Sequence, residues 1–107
     1  MTTKKYILDI APQVVRDLRE IEFYKSQYHA YPENVAKLIL KIRREIRRLG
    51  RSPLSAPSLS SKTVIPNNYR YSVIADYLII FEVVGSHVKI YRVLSGKMDY
   101  LTLLGLN

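Results

Sequence analysis

The sequence predicts a single α+β domain, residues 1–107, in which a two-helix hairpin and an N-terminal strand accompany a mostly antiparallel sheet of about four strands. Two observations carry this prediction. Apolar residues recur at helical spacing between residues 12 and 49, whereas β-branched and aromatic residues dominate residues 69–94. The second region is interrupted only by short breaks, and strands joined by short breaks pair as antiparallel hairpins.

Two patterns near the N-terminus predict the first strand and the first helix. The alternation of residues 4–10 predicts a strand that pairs inside the sheet. Pro12 then opens a helix, because proline is tolerated in the first helical turn, and the helix extends to Tyr28 or His29. Its apolar stripe contains Val14, Leu18, Ile21 and Tyr28, and its predicted solvent side contains Arg16, Asp17, Arg19, Glu20 and Glu22.

The second helix restarts at Pro32 and ends at Gly50, which we assign as its C-cap. Its apolar stripe contains Val35, Leu38, Ile39, Ile42, Ile46 and Leu49. The opposite face is basic, with Lys37, Lys41, Arg44, Arg48 and Arg51 around the acidic Glu45. Such a ridge either contacts a polyanion such as RNA or the ribosome, or only complements the helix dipole and solvates the surface.

The C-terminal half is predicted to be a loop followed by three strands. Residues 52–61 are rich in serine and proline and lack periodicity, which indicates a loop. Strands are predicted at residues 69–74, 77–84 and 88–94. His87 falls in the second turn and is predicted to be an exposed bystander. Residues 97–104 form either a short strand or a helical turn.

The composition excludes several kinds of site. There is no cysteine and there are two histidines, so disulfides and thiolate chemistry are excluded, and we expect neither a metal nor a cofactor. No run approaches the roughly 18 apolar residues that span a bilayer, and the apolar core near the N-terminus is too short for a signal peptide. We therefore expect a cytoplasmic protein without a membrane partner. The net charge of +8 favours a nucleic acid or an acidic protein as partner.

Arg70 and Arg92 interrupt otherwise apolar strands. An unpaired buried arginine costs several kcal/mol, so each guanidinium must reach solvent, a carboxylate or an anionic ligand. One interpretation pairs the two arginines across strands with Glu82 and with Asp76 or Asp99, which would stabilise the sheet only slightly. The other assigns them to an anion site.

The segment Tyr69-Arg70-Tyr71 at the start of the strands and Gly96-Lys97-Met98-Asp99-Tyr100 near the end carry a family resemblance. Together with the helical hairpin and its basic second helix, their order resembles the RelE/ParE superfamily of bacterial type II toxins. The resemblance covers nearly the whole chain. It implies a growth-inhibiting toxin that a cognate antitoxin protein holds inactive, through an acidic segment covering Arg70 or the helical hairpin.

The superfamily contains ribosome-dependent messenger RNA endonucleases and inhibitors of DNA gyrase. For the nuclease, the resemblance implies attack by the RNA's own 2′-hydroxyl, with cations stabilising the phosphorane. The implied catalytic residues are Arg70, Lys62, Lys97, Arg92 and Tyr100, and the implied RNA- and ribosome-binding residues are Lys37, Lys41, Arg44, Arg48 and Arg51. Ribosome and messenger RNA would then be the partners.

Two positions depart from the nuclease pattern. Met98 and Leu104 stand where the ribosome-dependent nucleases carry an arginine and a tyrosine or histidine. Asp99 and the apolar C-terminal end look more like the gyrase-inhibiting ParE branch. We expect the nuclease, with two alternatives left open: a non-enzymatic gyrase inhibitor, and a decayed toxin that only binds its antitoxin. The sequence does not select an oligomeric state.

Overall fold

The computed structural model describes residues 5–28 and 31–106. They form a four-stranded sheet with two long helices. The strands are β1 (Ile7–Ile10), β2 (Arg70–Ile74), β3 (Tyr77–Val84) and β4 (His87–Ser95), and the helices are α1 (Pro12–Tyr28), α2 (Pro32–Leu49) and the short α3 (Tyr100–Leu103). The predicted α+β architecture is confirmed.

The strand order across the sheet is β1-β4-β3-β2. β2, β3 and β4 form an antiparallel meander, as their short connections predict. β1 instead pairs with β4 in parallel, with Ile7 opposite His87 and Ile10 opposite Ile90. A parallel partner requires a long connection, which α1, α2 and the meander provide. The sheet is therefore mostly antiparallel, as predicted.

The two helices cover one face of the sheet, which we call the helix side. Its core consists of Val14 and Leu18 of α1, the stripe of α2, and inward residues of the strands such as Ile79, Phe81 and Ile90. Ile42, Leu49, Ile79, Phe81 and Ile90 are fully buried. Burying side chains of this size contributes roughly 1.5–3 kcal/mol each, so this layer holds the helical hairpin on the sheet.

The C-terminal tail covers part of the other face, which we call the tail side. Leu78, Ile80 and Leu94 pack there against Leu59 and Leu106. Of the two predicted structures for the tail, the helical turn is the one observed. Asp99 caps it, since its side chain accepts hydrogen bonds from the backbone amide and the hydroxyl of Thr102.

Several predicted boundaries move by a few residues. β1 begins at Ile7, and β4 begins at His87 and ends at Ser95. The predicted loop contains two 3₁₀ turns, Pro53–Ser55 and Leu59–Lys62, with Pro53 and Leu59 buried. Gly50 does cap α2, in a right-handed conformation with φ of −65°. The predicted start of the first strand at Lys4 and the end of the first helix at His29 lie outside the described residues.

Ala75 occupies the β2–β3 turn with φ of 53°. No helix in the described part of the chain is long and apolar enough to cross a membrane.

Candidate functional site

Arg70 lies on the helix side of the sheet, at the start of β2. It pairs with Phe81, and directly opposed residues share a face, so its side chain faces the layer that contains α2. Its Nη1 donates a hydrogen bond to the carbonyl oxygen of Ala56 at 2.7 Å. This contact ties β2 to the segment that follows α2. The guanidinium remains half-buried, with donors left for another acceptor.

Lys62 and Tyr100 lie on the tail side. The Lys62 ammonium lies 5.2 Å from the centroid of the Tyr71 ring, and Tyr71 points away from Arg70 because neighbours in a strand alternate. Tyr100 packs against the tail-side core that contains Leu78 and Ile80. The backbone of the sheet therefore separates these two residues from Arg70.

Arg92 follows a β-bulge in β4 and contacts α1. Ile80 pairs with Arg92 and Phe81 pairs with Ile90, so Tyr91 is an extra residue in β4. Tyr91 donates to Glu82 at 2.8 Å on the tail side. Burial and this hydrogen bond raise the pKa of the Tyr91 phenol to about 12. Arg92 lies opposite Ile80, beyond the part of β4 that pairs with β1, and its guanidinium reaches Asp17 of α1.

Asp17 is the carboxylate that pairs with Arg92. The Nε and Nη2 atoms of Arg92 donate to the two Asp17 oxygens at 2.9 and 3.0 Å. The Val93 amide, which lies beyond the end of the β1–β4 pairing at Ile90, and the Gln13 side chain also donate to Asp17. The hydrogen bond between Arg92 and Asp17 raises the pKa of the Arg92 guanidinium. Asp17 is only 3% exposed, so its predicted place on the solvent side of α1 was wrong.

The predicted cross-strand partners of the two strand arginines were also wrong. Glu82 accepts from Tyr91, and Asp99 caps the tail helix. Asp76 lies 3.8 Å from the Lys97 ammonium, in an exposed pair of the kind that contributes little to stability. Lys97 thus lies at the end of the β2–β3 hairpin, next to an acid.

On the basic face of α2, Glu45 has two partners. It accepts two hydrogen bonds from Arg48, each at 2.7 Å, and another from the Ser72 hydroxyl of β2. The bonds from Arg48 are the main reason why the pKa of the Glu45 carboxyl is lowered. Glu45 therefore joins α2 to β2, and the Arg48 guanidinium is engaged in an ion pair within α2. Lys37, Lys41, Arg44 and Arg51 are exposed and make no ion pair with a carboxylate of the described residues.

His87 is not a bystander in a turn. It is the first residue of β4, and its Nδ1 atom lies 2.6 Å from Asp9 Oδ2 of β1. The pair joins the two parallel strands. Within residues 5–28 and 31–106, no three His, Asp or Glu side chains come together as metal ligands.

Two open grooves run along α1, one on each flank. The basic groove, about 380 Å³, lies between α1 and α2. Its apolar floor includes Ile10, Val15, Leu18, Ile39 and Ile46, and its charged rim consists of Arg19, Glu22, Arg43 and Arg47. Three arginines against one glutamate give this rim an excess of positive charge.

The aromatic groove, about 940 Å³, lies between α1 and the C-terminal tail. Phe23, Tyr24, Met98 and Leu103 are its exposed apolar residues. The Asp17–Arg92 pair and Lys97 also line this groove. Of the five predicted catalytic residues, the fold therefore brings together Arg92 and Lys97, while Lys62, Tyr100 and Arg70 lie elsewhere.

A family model described as the ParE toxin of the type II toxin–antitoxin system parDE matches residues 8–100. The chain belongs to the ParE toxin family. This ParE-family toxin also shares its fold with two solved structures, a protein of the chromosomal ParDE system from P. aeruginosa and one of the RelBE2 toxin–antitoxin complex from Mycobacterium tuberculosis.

The first of these structures has 17% identity and a TM-score of 0.70, with 88% of this chain and 98% of that chain covered. The second has 15% identity and a TM-score of 0.54, with 85% and 98% covered. At such identities the likeness establishes the fold alone. No curated protein sequence matches the toxin.

Sequence reasoning missed two features of this toxin. The first is Asp17, although its spacing from Val14 and Leu18 places it within the apolar stripe of α1, and that spacing was the available signal. The second is the aromatic groove, whose members come from α1 and from the tail. No local pattern joins segments so far apart in the chain.

Proposed function

We propose that this toxin inhibits growth by binding DNA gyrase, without cleaving RNA. The observation that carries the proposal is the separation of the groups a nuclease would need to bring together. Arg70 lies on the helix side of the sheet, whereas Lys62 and Tyr100 lie on the tail side. RelE/ParE toxins are either messenger RNA endonucleases or gyrase inhibitors, and only the second activity needs no converging catalytic groups.

In-line attack by a 2′-hydroxyl needs a base, an acid and cations arranged around one phosphate. A proton donor or acceptor must come within about 3 Å of the reacting oxygen, and side chains on opposite faces of a sheet do not meet there. Of the two remaining candidates, Arg92 is engaged within the protein and Lys97 is distant from Arg70 in the sheet. Arg92 is held by Asp17 in a two-point ion pair, and Lys97 is an exposed side chain 3.8 Å from Asp76 at the end of the β2–β3 hairpin.

For the antitoxin, we propose docking in the basic groove of the helical hairpin. An amphipathic segment with apolar and acidic residues fits a groove that has an apolar floor and an arginine-rich rim. The exposed cations of α2 extend the positive surface and would accelerate association with an acidic partner. The proposed site of action is the cytoplasm.

The variants Arg70→Ala and Lys62→Ala test the mechanism. If the protein acts by binding, both variants should still arrest growth when they are expressed without antitoxin. Removing a group that stabilises a transition state typically lowers the rate by a factor of about 10² to 10³. Loss of growth arrest in either variant, with its melting temperature and antitoxin affinity unchanged, would contradict the proposal and favour the endonuclease.

A further inference from the structure

The aromatic groove exposes more apolar surface than the fold requires. Phe23, Tyr24, Met98 and Leu103 are 67%, 54%, 47% and 49% exposed, and all four line the same groove. Isolated exposed apolar residues are ordinary, but a contiguous group rimmed by polar residues marks an interaction surface. The Tyr28 ring, 5.0 Å from the Tyr24 ring, continues the patch along α1.

The aromatic groove and the basic groove are distinct surfaces. Val15 and Glu22 line the basic groove, whereas Glu20 and Tyr24 line the aromatic groove. At 3.6 residues per turn, these two pairs project from opposite flanks of α1. A partner in one groove therefore leaves most of the other groove open, and among the residues that the structure describes only Arg19 borders both.

The chemistry of the aromatic groove fits a protein. Phenylalanine, tyrosine and methionine are concentrated at the centres of protein–protein interfaces, where a few such side chains carry most of the binding energy. A nucleic acid would need a track of cations beside the aromatic rings. Four cations line this groove, but two of them, Arg92 and Lys97, lie beside the carboxylates of Asp17 and Asp76. The run of exposed cations without ion pairs follows α2 instead.

The charges around the aromatic groove specify the partner further. Arg92 and Lys97 already have Asp17 and Asp76 as neighbours. Arg19 and Lys25 make no ion pair with a carboxylate of the described residues, and Lys25 lies 6.0 Å from the centroid of the Tyr77 ring. The lining also contains the exposed carboxylate of Glu20, so these cations exceed the unpaired acids by one. An incoming surface with acidic side chains beside its apolar ones would neutralise these two cations.

We propose that the aromatic groove is the surface through which the toxin binds its target protein, and that the occupant is an amphipathic helix of the target with acidic residues beside its apolar face. This inference rests on the proposed function, because only a toxin that acts by binding needs a target surface separate from the antitoxin groove. The Asp17–Arg92 pair fixes α1 on β4 and so sets the shape of the groove.

A double variant, Phe23→Ala with Leu103→Ala, tests the inference against a matched control, Leu54→Ala. Leu54 is 59% exposed and does not line the aromatic groove. Truncation of central interface residues weakens binding at least about tenfold, so the double variant should lose growth arrest and gyrase affinity to that extent. Its melting temperature and antitoxin affinity should match those of the wild type, and Leu54→Ala should arrest growth fully.

A second variant, Phe23→Glu, covers the case in which the double variant does not fold. Glutamate forms helices well and would repel an acidic partner, so growth arrest should be lost while the helix content is kept. Full growth arrest by a folded groove variant would overturn the inference. Loss of antitoxin binding with growth arrest retained would also overturn it, because the groove would then belong to the antitoxin.

The same experiment separates this inference from the proposed function. If the wild-type toxin does not bind gyrase, the proposed target is wrong. Loss of growth arrest in the groove variants would still place the target surface in the aromatic groove. Retained growth arrest would reject that surface whatever the target is.

Discussion

Asp17 shows how a single residue fixes α1 on β4. Its carboxylate accepts hydrogen bonds from Arg92, from the Val93 amide and from Gln13, and it is almost fully buried. The ionic partner lies 75 residues away in the chain. Sequence reasoning correctly required a partner for Arg92, but no local rule identifies one at that separation.

Asp17→Ala should destabilise the protein. The change leaves the Arg92 guanidinium partly buried without its carboxylate and leaves the Val93 amide without an acceptor. Breaking a buried ion pair from one side costs about 3 kcal/mol, so the free energy of unfolding in urea should fall by roughly that amount. Glu22→Ala, on an exposed site of the same helix, serves as the control and should change stability by less than about 0.5 kcal/mol. If both variants lower the free energy of unfolding equally, the hydrogen bonds of Asp17 do not stabilise the fold more than an exposed residue of α1 does.

At the scale of elements, local patterns predicted α1, α2 and β3 well because periodicity and turn residues are local signals. β3 is observed at the predicted residues 77–84. Alternation also placed Arg70 opposite in direction to Tyr71. It did not reveal that Arg70 faces the helix side, because that depends on which face the hairpin covers.

Two other features of the elements depend on long-range contacts. The bulge at Tyr91 shifts the phase of β4 by one residue, so that Val93 and not Arg92 follows Ile90 into the helix-side core. The tail helix has only four residues, which is too short for a helical period to be recognised. The candidate catalytic residues were chosen by family resemblance, and their separation appears only once the strands are paired.

Charge reversal in the helical hairpin tests the antitoxin groove. Arg43→Glu combined with Arg47→Glu places two like charges against an acidic segment, so antitoxin affinity measured by calorimetry should fall at least about tenfold. The effect should shrink as salt is added, because exposed charges are screened. Lys5→Glu combined with Arg16→Glu changes the net charge equally, away from the groove, and should leave the affinity nearly unchanged. The same loss in both double variants would mean that net charge, not the groove, governs antitoxin binding.

At the scale of the whole molecule, the fold separates its surfaces. The basic groove and the cations of α2 form one surface, and the aromatic groove forms another on the far flank of α1. The net charge of +8 predicted a polyanionic or acidic partner, but it could not say where the charge lies. The proposals place the antitoxin in the basic groove and the target in the aromatic groove, and this separation would let each surface be changed without the other.

The most direct test of action by binding to gyrase is a pulse of labelled thymidine and labelled methionine at short intervals after the toxin is induced in a bacterial host without antitoxin. If gyrase is blocked, replication stalls first, so thymidine incorporation should fall while methionine incorporation continues. An earlier fall in methionine incorporation, followed by cuts in messenger RNA detected by primer extension, would contradict the account and establish the endonuclease instead.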